Sequence, residues 1–545
     1  MLRSCLFLLS IFLFISCNTS SDPHDELGDV ELSVQGAEAA QPLFKQGLLL
    51  LHSFEYVDAR TAFDQAIAKD SNFVMAYWGK AMTYNQGLWH RQSLEDAQAT
   101  LETLAPTPEE RLAKATTELE RDFLQATHLL YGEGTKQERD QAYANYMEQL
   151  HEKYPSNNEI AAFYALSLLS AVPYGRDEAA YEKGARVAQG IIEENPNHPG
   201  ALHYLIHSYD DPKHAHLAKA AADSYSKVAP DAAHALHMPS HIYVALGRWE
   251  DVVNSNIASW EASVKRTERL ELDTDAQSYH ALHWLEYGLL QQGRFEEALK
   301  LLQEMQTYSA ETESKTARSY LVRMKANYIT ETEQWLDSTQ AIPVDLTDLS
   351  ITIASAYHFL DGMAAFAKSD TAQLRQIILA MDEQRQLAQS KVVEGNAPMC
   401  AAGGWSNNDN NQLEIDQAQV MILELRGLYA QLQDDLESAA QWLQEATELE
   451  TQISYSYGPP AIPKPSYELY GEFLLEQGQV EAAQQQFDKA IQRGPNRILA
   501  LRGQVRAASA LQNTDKVKEL EAQLQQLLEG ADPNAFGVNQ QLSLR

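Results

Sequence analysis

The sequence predicts an all-α protein, a right-handed solenoid built from stacked pairs of helices. Three observations support this fold class. From about residue 40 onward apolar residues recur with helical periodicity, and no convincing strand pattern interrupts them. Small and large apolar residues also recur at a period of 34 residues. Finally, a Gly-polar-aromatic turn separates several of the predicted helices.

The repeat is visible in individual residues. Gly47 and Leu50 are matched by Ala81 and Tyr84 one period later. The segments "GRWEDVVNSNIAS" and "GRFEEALKLLQEM" open on the recurring turn, and "YGEFLLEQGQVEAAQQQFDKAIQRGPN" is the clearest copy. This pattern resembles the tetratricopeptide repeat (TPR), a helix-turn-helix unit of 34 residues. The resemblance implies that the units stack into a superhelix with a concave groove, because a single unit cannot bury its apolar face.

The sequence is divided into segments by composition and by repeat register. In order, we expect 1–17, a lipoprotein signal peptide ending at the lipidated Cys17; 18–36, a polar tether; 37–105, N-terminal repeats; 106–157, out-of-register helices that start at Thr107; 158–310, central repeats; 311–411, an irregular helical segment with a Gly/Asn loop; 412–530, C-terminal repeats; and 531–545, a tail. The Gly/Asn loop and the Pro-rich connection 455–466 are candidates for closing the groove.

The leader and the net charge limit the partners. The stretch "MLRSCLFLLSIFLFISC" has one basic residue and an apolar run of signal-peptide length, and its end resembles the bacterial lipobox. This predicts an acylated Cys17 that holds the protein on a lipid bilayer of the cell envelope; a conventional secretory signal is the alternative. Acidic residues outnumber basic ones 76 to 42, for a net charge of -34. We therefore expect no nucleic acid partner.

Seven histidines fall on one predicted surface. In TPR proteins positions 2, 5, 9, 12 and 13 of each first helix line the groove, and the Gly-Arg-aromatic turns fix the register here. The resemblance then places histidine at seven of nine positions 2, 5 and 9 in three consecutive repeats, against roughly 0.3 expected from 16 in 545 residues. They are His203, His207, His234, His237, His241, His280 and His283, with Asp210 at position 12 of the first repeat.

This pattern predicts a metal site. Imidazole pairs three and four residues apart on a helix can chelate one ion, and imidazole with carboxylate suits a divalent Zn, Cu, Ni or Fe ion. We expect His203, His207, His237, His241 and His283 to form the inner set, with Asp210 and Glu286 beside them. Direct ligand binding by the histidines and a polar structural network remain alternatives.

Other groove positions carry further candidates. Glu286 is a candidate catalytic residue, as a general base or as a residue that orients an imidazole; a buried glutamate paired with an arginine is the equally plausible alternative. Pro239 predicts that the helix of the middle repeat either starts there or is kinked there. Ligand contacts are predicted for Trp78, Met82, Asn85 and Tyr287, for which apolar packing is the alternative.

Three functions are compatible with these features. The first is a membrane-anchored TPR lipoprotein that binds a metal ion, or a protein, peptide or small-molecule ligand, through the histidine-lined groove. The second is a metal-dependent hydrolase or oxidase that uses the same histidines. The third is a protein-protein interaction scaffold in which the histidines are incidental. Segments "HYLIHSYDDP" and "HALHMPSHI" resemble a group of bacterial TPR proteins, but this resemblance implies no particular activity, and no nucleophile elbow, P-loop or His-Glu-x-x-His motif is present.

Overall fold

The computed structural model describes residues 26–173, 175–392, 411–455, 458–533 and 535–537. Over these residues the chain is a succession of α-helices, and the one ladder is β1 (Asn85–Gln86) paired antiparallel with β2 (Arg91–Gln92). Nearly every described helix packs against its neighbour in sequence, and in many of the repeats the first helices of consecutive pairs also touch. The all-α helical-repeat solenoid that the sequence predicts is confirmed.

The helices fall into three runs along the chain. The N-terminal run comprises α1 (Gln41–His52), α2 (Tyr56–Lys69), α3 (Val74–Met82), α4 (Leu94–Leu104), α5 (Pro108–Lys114), α6 (Glu118–Leu130) and α7 (Lys136–Lys153). The central run comprises α8 (Asn158–Ser170), α9 (Glu178–Glu194), α10 (Pro199–Tyr209), α11 (Ala215–Val228), α12 (Ala233–His237), α13 (Pro239–Ala245), α14 (Trp249–Arg269), α15 (Tyr279–Gln291) and α16 (Phe295–Thr312). The C-terminal run comprises α17 (Lys315–Thr332), α18 (Ile351–Ala367), α19 (Thr371–Gln389), α20 (Gln412–Leu432), α21 (Leu436–Gln452), α22 (Ser466–Glu476), α23 (Val480–Arg493), α24 (Ile498–Ala510) and α25 (Thr514–Leu527).

The repeat landmarks mark places where helices approach closely. The ring of Phe63 on α2 lies between two glycines, and a Cβ would come within 2.7 Å of it at Gly47 and 2.4 Å at Gly79. The C-terminal repeats use the same arrangement around Phe487, with glycines on α22 and α24. Only glycine lets the two neighbouring helices approach the buried ring at this distance. The small and large positions of the sequence pattern are therefore complementary surfaces of adjacent helices.

The described part of the predicted tether packs against the solenoid. Leu27, Val30 and Val34 are buried. The backbone N–H of Asp29 donates to the carbonyl oxygen of Asn197, which lies just before α10. Residues 26–36 therefore differ from the polar tether expected there. Their apolar side chains alternate with polar ones, and the apolar ones are buried against the solenoid.

The segment expected to be irregular contains long helices. α17, α18 and α19 each span 17 to 19 residues, although residues 311–350 show little apolar periodicity. The reason is that α17 buries polar side chains: Lys325 is fully buried, and its ammonium donates to the carbonyl oxygens of Gln340 and Ile342. The start predicted at Thr107 is confirmed, since its side chain and that of Glu110 form a capping box at α5.

Candidate metal centre

The predicted groove histidines lie on three neighbouring elements of the central run. His203 and His207 are on α10, and His280 and His283 are on α15. The middle element is broken: α12 ends at His237, and α13 begins at Pro239, which cannot donate a backbone hydrogen bond within a helix. The kinked alternative for Pro239 therefore describes this helix, and it leaves the histidines of α12 and α13 facing the same interior.

One set of imidazoles has free nitrogens that face each other. A ring nitrogen from each of His203, His207 and His234 lies within 4.8 Å of the others. The Nε2 atoms of all three are buried and have no hydrogen-bond partner. His234 is the only half-buried member, so it lies on the solvent side of this first set. Its ring contacts those of Phe54 and Trp89, which form the wall on that side.

The opposite ring nitrogens of the first set are fixed by hydrogen bonds. His203 donates from Nδ1 to the carbonyl oxygen of His52 (2.7 Å), and His207 donates from Nδ1 to Asp210 Oδ2 (3.3 Å). Because both acceptors are oxygens without a proton, we assign the hydrogen to Nδ1 in each ring. The Nε2 lone pairs of His203 and His207 are then directed into the set, as in a metal-ligating histidine.

A second set lies beside the first. Ring nitrogens of His237, His241 and His280 are also within 4.8 Å of one another. His237 donates from Nδ1 to Asn256 Oδ1 (2.7 Å), while its Nε2 lies 2.9 Å from Nε2 of His280. The side chain of Trp284 stacks on His241 with a centroid distance of 4.7 Å and meets His237 edge-on at 4.8 Å.

Asp210 connects the two sets. Its Oδ2 accepts from Nδ1 of His207 and from Nδ1 of His241, each at 3.3 Å. Arg176 lies 3.4 Å from its other oxygen. Burial alone would raise the pKa of Asp210, but the hydrogen bonds from the two imidazoles outweigh it and lower the pKa. The carboxylate is therefore charged and orients one imidazole of each set.

Burial favours the neutral form of four of these imidazoles. Desolvation lowers the pKa of His203, His234, His237 and His280 well below the usual value, and the neighbouring imidazoles lower it further. A neutral imidazole has a lone pair available for a metal ion, whereas a protonated one has none. Burial therefore favours these four rings as lone-pair donors rather than as cations.

A third histidine group was not identified from the sequence. His52 and His198 both contact Glu159, through Nε2 at 2.7 Å and 3.1 Å. Their other ring nitrogens are also used: Tyr204 contacts His52, and His198 accepts the backbone N–H of Ala201 as the N-cap of α10. All three side chains are fully buried and hydrogen-bonded, so this group closes on itself as a structural network. The three residues lie in separate repeats, and the sequence carries no signal that pairs them.

His283 and Glu286 stand apart from the two sets. His283 accepts from Asn327 Nδ2 at Nε2 (2.9 Å) and belongs to neither set, contrary to the inner set expected from the sequence. Glu286 is fully buried next to Asn327, and burial raises its pKa well above the usual value. The arginine partner considered for Glu286 is also not seen among its contacts in the described residues.

The other predicted contacts lie at two different places. Trp78 is in the apolar core, edge-on to Phe123 and Phe163. Met82 and Asn85 line a water-sized cavity of about 20 Å³ between α1, α3 and α8. Tyr287 lies in a separate, larger cavity below the Pro-rich connection, and its hydroxyl accepts from Arg497 (2.8 Å).

The described part of the Pro-rich connection, a candidate for closing the groove, packs on Trp284 beside the second set. Gly458 lies so close to Trp284 that a Cβ there would be 2.2 Å from the indole ring. On the opposite side, Ser454 meets Gly175 just before α9. The predicted Gly/Asn loop, with Cys400, and the predicted lipidation site Cys17 lie outside the described residues. Among the described helices, none has the length and apolar character needed to cross a membrane.

Comparison with known proteins finds similarity in solved structures alone. No protein-family model matches the sequence, and no curated protein matches it significantly. A chain of the APC/C hetero-tetramer Cut9–Hcn1 is 12% identical over 88% of this chain and 78% of its own, with a TM-score of 0.34. Yeast Tom70 is 10% identical (89% and 92%, TM-score 0.31), and the human IFIT1 dimer with m7Gppp-AAAA is 13% identical (92% and 97%, TM-score 0.36).

Proposed function

We propose that this protein binds a first-row transition metal ion through His203, His207 and His234. The observation that carries the proposal is the group of three buried Nε2 atoms that have no hydrogen-bond partner. Buried polar atoms are almost always paired in folded proteins, so three neighbouring rings that each have an unpaired buried nitrogen favour a shared ligand. A metal ion satisfies all three at once.

The geometry suits an ion with a small rearrangement. The three ring nitrogens lie within 4.8 Å of one another. A zinc or copper ion bound at ~2.0–2.1 Å would hold them about 3.4 Å apart, so each ring moves by about an ångström or less. Three imidazoles leave a further position on the ion, which is the arrangement of sites that bind or activate a small ligand.

The metal proposal is tested on the full-length chain, purified in detergent without a polyhistidine tag. Asparagine places its side-chain amide near the position of histidine Nδ1, so H203N/H207N keeps the hydrogen bonds to the His52 carbonyl and to Asp210 but removes both Nε2 lone pairs. We expect metal bound by the wild type, as purified or after reloading with Zn²⁺ or Cu⁺, and loss of this metal in the variant. His358 is half-buried beside Asp361, away from the site, and H358N is the control. Less than a tenth of an equivalent in the wild type under every loading condition would overturn the proposal.

We also propose that the protein is held on a bilayer of the cell envelope by acylated Cys17. The support is the apolar leader that ends in a lipobox-like sequence. Two or more acyl chains give stable anchoring, so the wild type should fractionate with membranes and be labelled by a fatty-acid probe. Cys17→Ser should abolish the labelling. Labelling that persists in this variant contradicts the anchor, and metal binding is unaffected by either result.

A further inference from the structure

The second histidine set has the composition of a second metal site. His237, His241 and His280 bring three ring nitrogens within 4.8 Å of one another, and all three side chains are buried. The two sets share no residue. They are nevertheless in contact, since the rings of His207 and His241 are 5.4 Å apart and those of His234 and His237 are 6.2 Å apart.

From this we infer that the centre is dinuclear, with one copper ion in each set and Asp210 orienting one imidazole of each. The inference rests on the proposed function, because it adds a second ion beside the first. Asp210 Oδ2 accepts from Nδ1 of His207 and from Nδ1 of His241, so one carboxylate orients a ring of each set. A carboxylate that accepts from ligating histidines in this way raises the basicity of the rings and holds them in one orientation.

Binding at the second set requires one proton to move within a side chain. Nε2 of His237 and Nε2 of His280 are 2.9 Å apart, so one of the two carries the hydrogen. His237 already carries a hydrogen on Nδ1, which donates to Asn256. The shared proton therefore belongs to His280, whose Nδ1 faces the Tyr320 hydroxyl at 3.2 Å. When His280 changes tautomer, Nδ1–H donates to Tyr320 and both Nε2 lone pairs become available, with no net change in protonation.

The charge of the cavity favours copper in its monovalent state. Asp210 is the carboxylate that contacts His207 and His241, and its other oxygen already lies beside the Arg176 guanidinium. Two divalent ions would add four positive charges to a buried volume, whereas two Cu⁺ ions add two. Because burying uncompensated charge is costly, the smaller excess is favoured. Three imidazoles also suit a copper ion of low coordination number. The rings of Phe54 and Trp89 at one end and Trp284 at the other separate the pair from solvent.

The test counts copper in the full-length protein. The metal-free wild type is loaded anaerobically with Cu⁺, excess metal is removed, and copper per chain is measured. We expect two equivalents, and a copper–copper vector in the X-ray absorption spectrum. H203N/H207N and H237N/H241N should each hold one equivalent, since each variant keeps the Nδ1-side hydrogen bonds of its set and loses two Nε2 atoms. D210N should lower the affinity for both ions by about 10–100-fold, as expected for loss of a residue that orients ligands.

The outcomes separate this inference from the proposed function. One equivalent in the wild type, without a copper–copper vector, overturns the dinuclear centre and leaves the single site in place. Zero equivalents overturn both. Thermal unfolding of each metal-free variant shows whether it is folded, and the absorption measurement on the wild type decides the question even if a variant does not fold. If D210N lowers the affinity for only one of the two ions, the inference that Asp210 orients an imidazole of each set is wrong.

Discussion

Trp249 and Asn496 are in direct contact although 247 residues separate them. The indole Nε1–H of Trp249 donates to the carbonyl oxygen of Asn496 (2.9 Å), and the Asn496 side-chain amide donates back to the carbonyl oxygen of Gly247 (3.0 Å). The turn between α23 and α24 thus rests on the turn between α13 and α14. The C-terminal repeats return to the central ones, and this contact encloses the region below the Pro-rich connection.

Gly247→Ala should destabilise the closure. Gly247 has a φ of +64°, and a Cβ would lie 2.2 Å from the Pro495 carbonyl oxygen. Gly478 is the matched control, because its φ is +71° but nothing lies within 4 Å of its Cβ position. Both substitutions cost about 1–2 kcal/mol for the left-handed backbone. We expect G247A to lose about 1–3 kcal/mol more from overpacking, measured by urea unfolding. Equal losses in the two variants would show that the contact tolerates a methyl group.

Arg497→Met should be far more damaging than an ordinary surface change. Arg497 is buried and pairs with Glu331 and Glu468. Its removal leaves the buried Glu331 without this cation and leaves Glu468 with Lys464 alone, at 3.8 Å. We expect a loss of about 3–5 kcal/mol in the free energy of unfolding. Arg502, which pairs with Glu333 at a partly exposed position, is the control, with about 0–1 kcal/mol expected for R502M. A small effect at Arg497 would show that water reaches the two carboxylates.

Glu424→Gln should change how stability depends on pH. Glu424 is fully buried, neither of its oxygens has a partner, and burial raises its pKa well above 4.5. The unfolded chain releases this proton above about pH 4.5, while the folded protein keeps it, so the wild type loses stability as the pH rises through the interval between the two pKa values. The variant lacks this loss.

We therefore expect E424Q and the wild type to have similar melting temperatures near pH 4, and E424Q to be the more stable near pH 8. Each unit of pKa difference corresponds to about 1.4 kcal/mol. Glu437, which is exposed on the next helix, provides the control variant E437Q. A difference between E424Q and the wild type that stays constant from pH 4 to pH 8 would contradict the raised pKa.

Gly458→Ala should disturb the second histidine set alone. A Cβ at Gly458 would press on Trp284, whose ring packs on His237 and His241. We expect G458A to bind one copper ion where the wild type binds two. Gly530 has a nearly equal φ of +87° against +90° and open space at its Cβ position, so G530A controls for backbone strain. Two equivalents in G458A would indicate that the connection moves away without shifting Trp284.

The sequence determined the helices and the faces on which most of the site residues lie. Apolar periodicity and the Gly and Ala positions of the repeat are local properties, and by themselves they place His203 and His207 on one face of α10. The same register places His237 and His241 opposite them. Apolar periodicity does not predict α17, because that helix buries Lys325 and other polar side chains whose partners come from elsewhere in the chain.

Tertiary structure decided which of these histidines act together. The sequence grouped His283 with the inner set, but its ring turns to Asn327 on α17. It contained no sign that His52 and His198 meet Glu159, because the three are brought together only when α1, α8 and α10 pack. Helical periodicity specifies the direction of a side chain to within one face. Hydrogen-bond partners, tautomers and the spacing of ring nitrogens depend on where distant helices come to rest, and that is a property of the packed core.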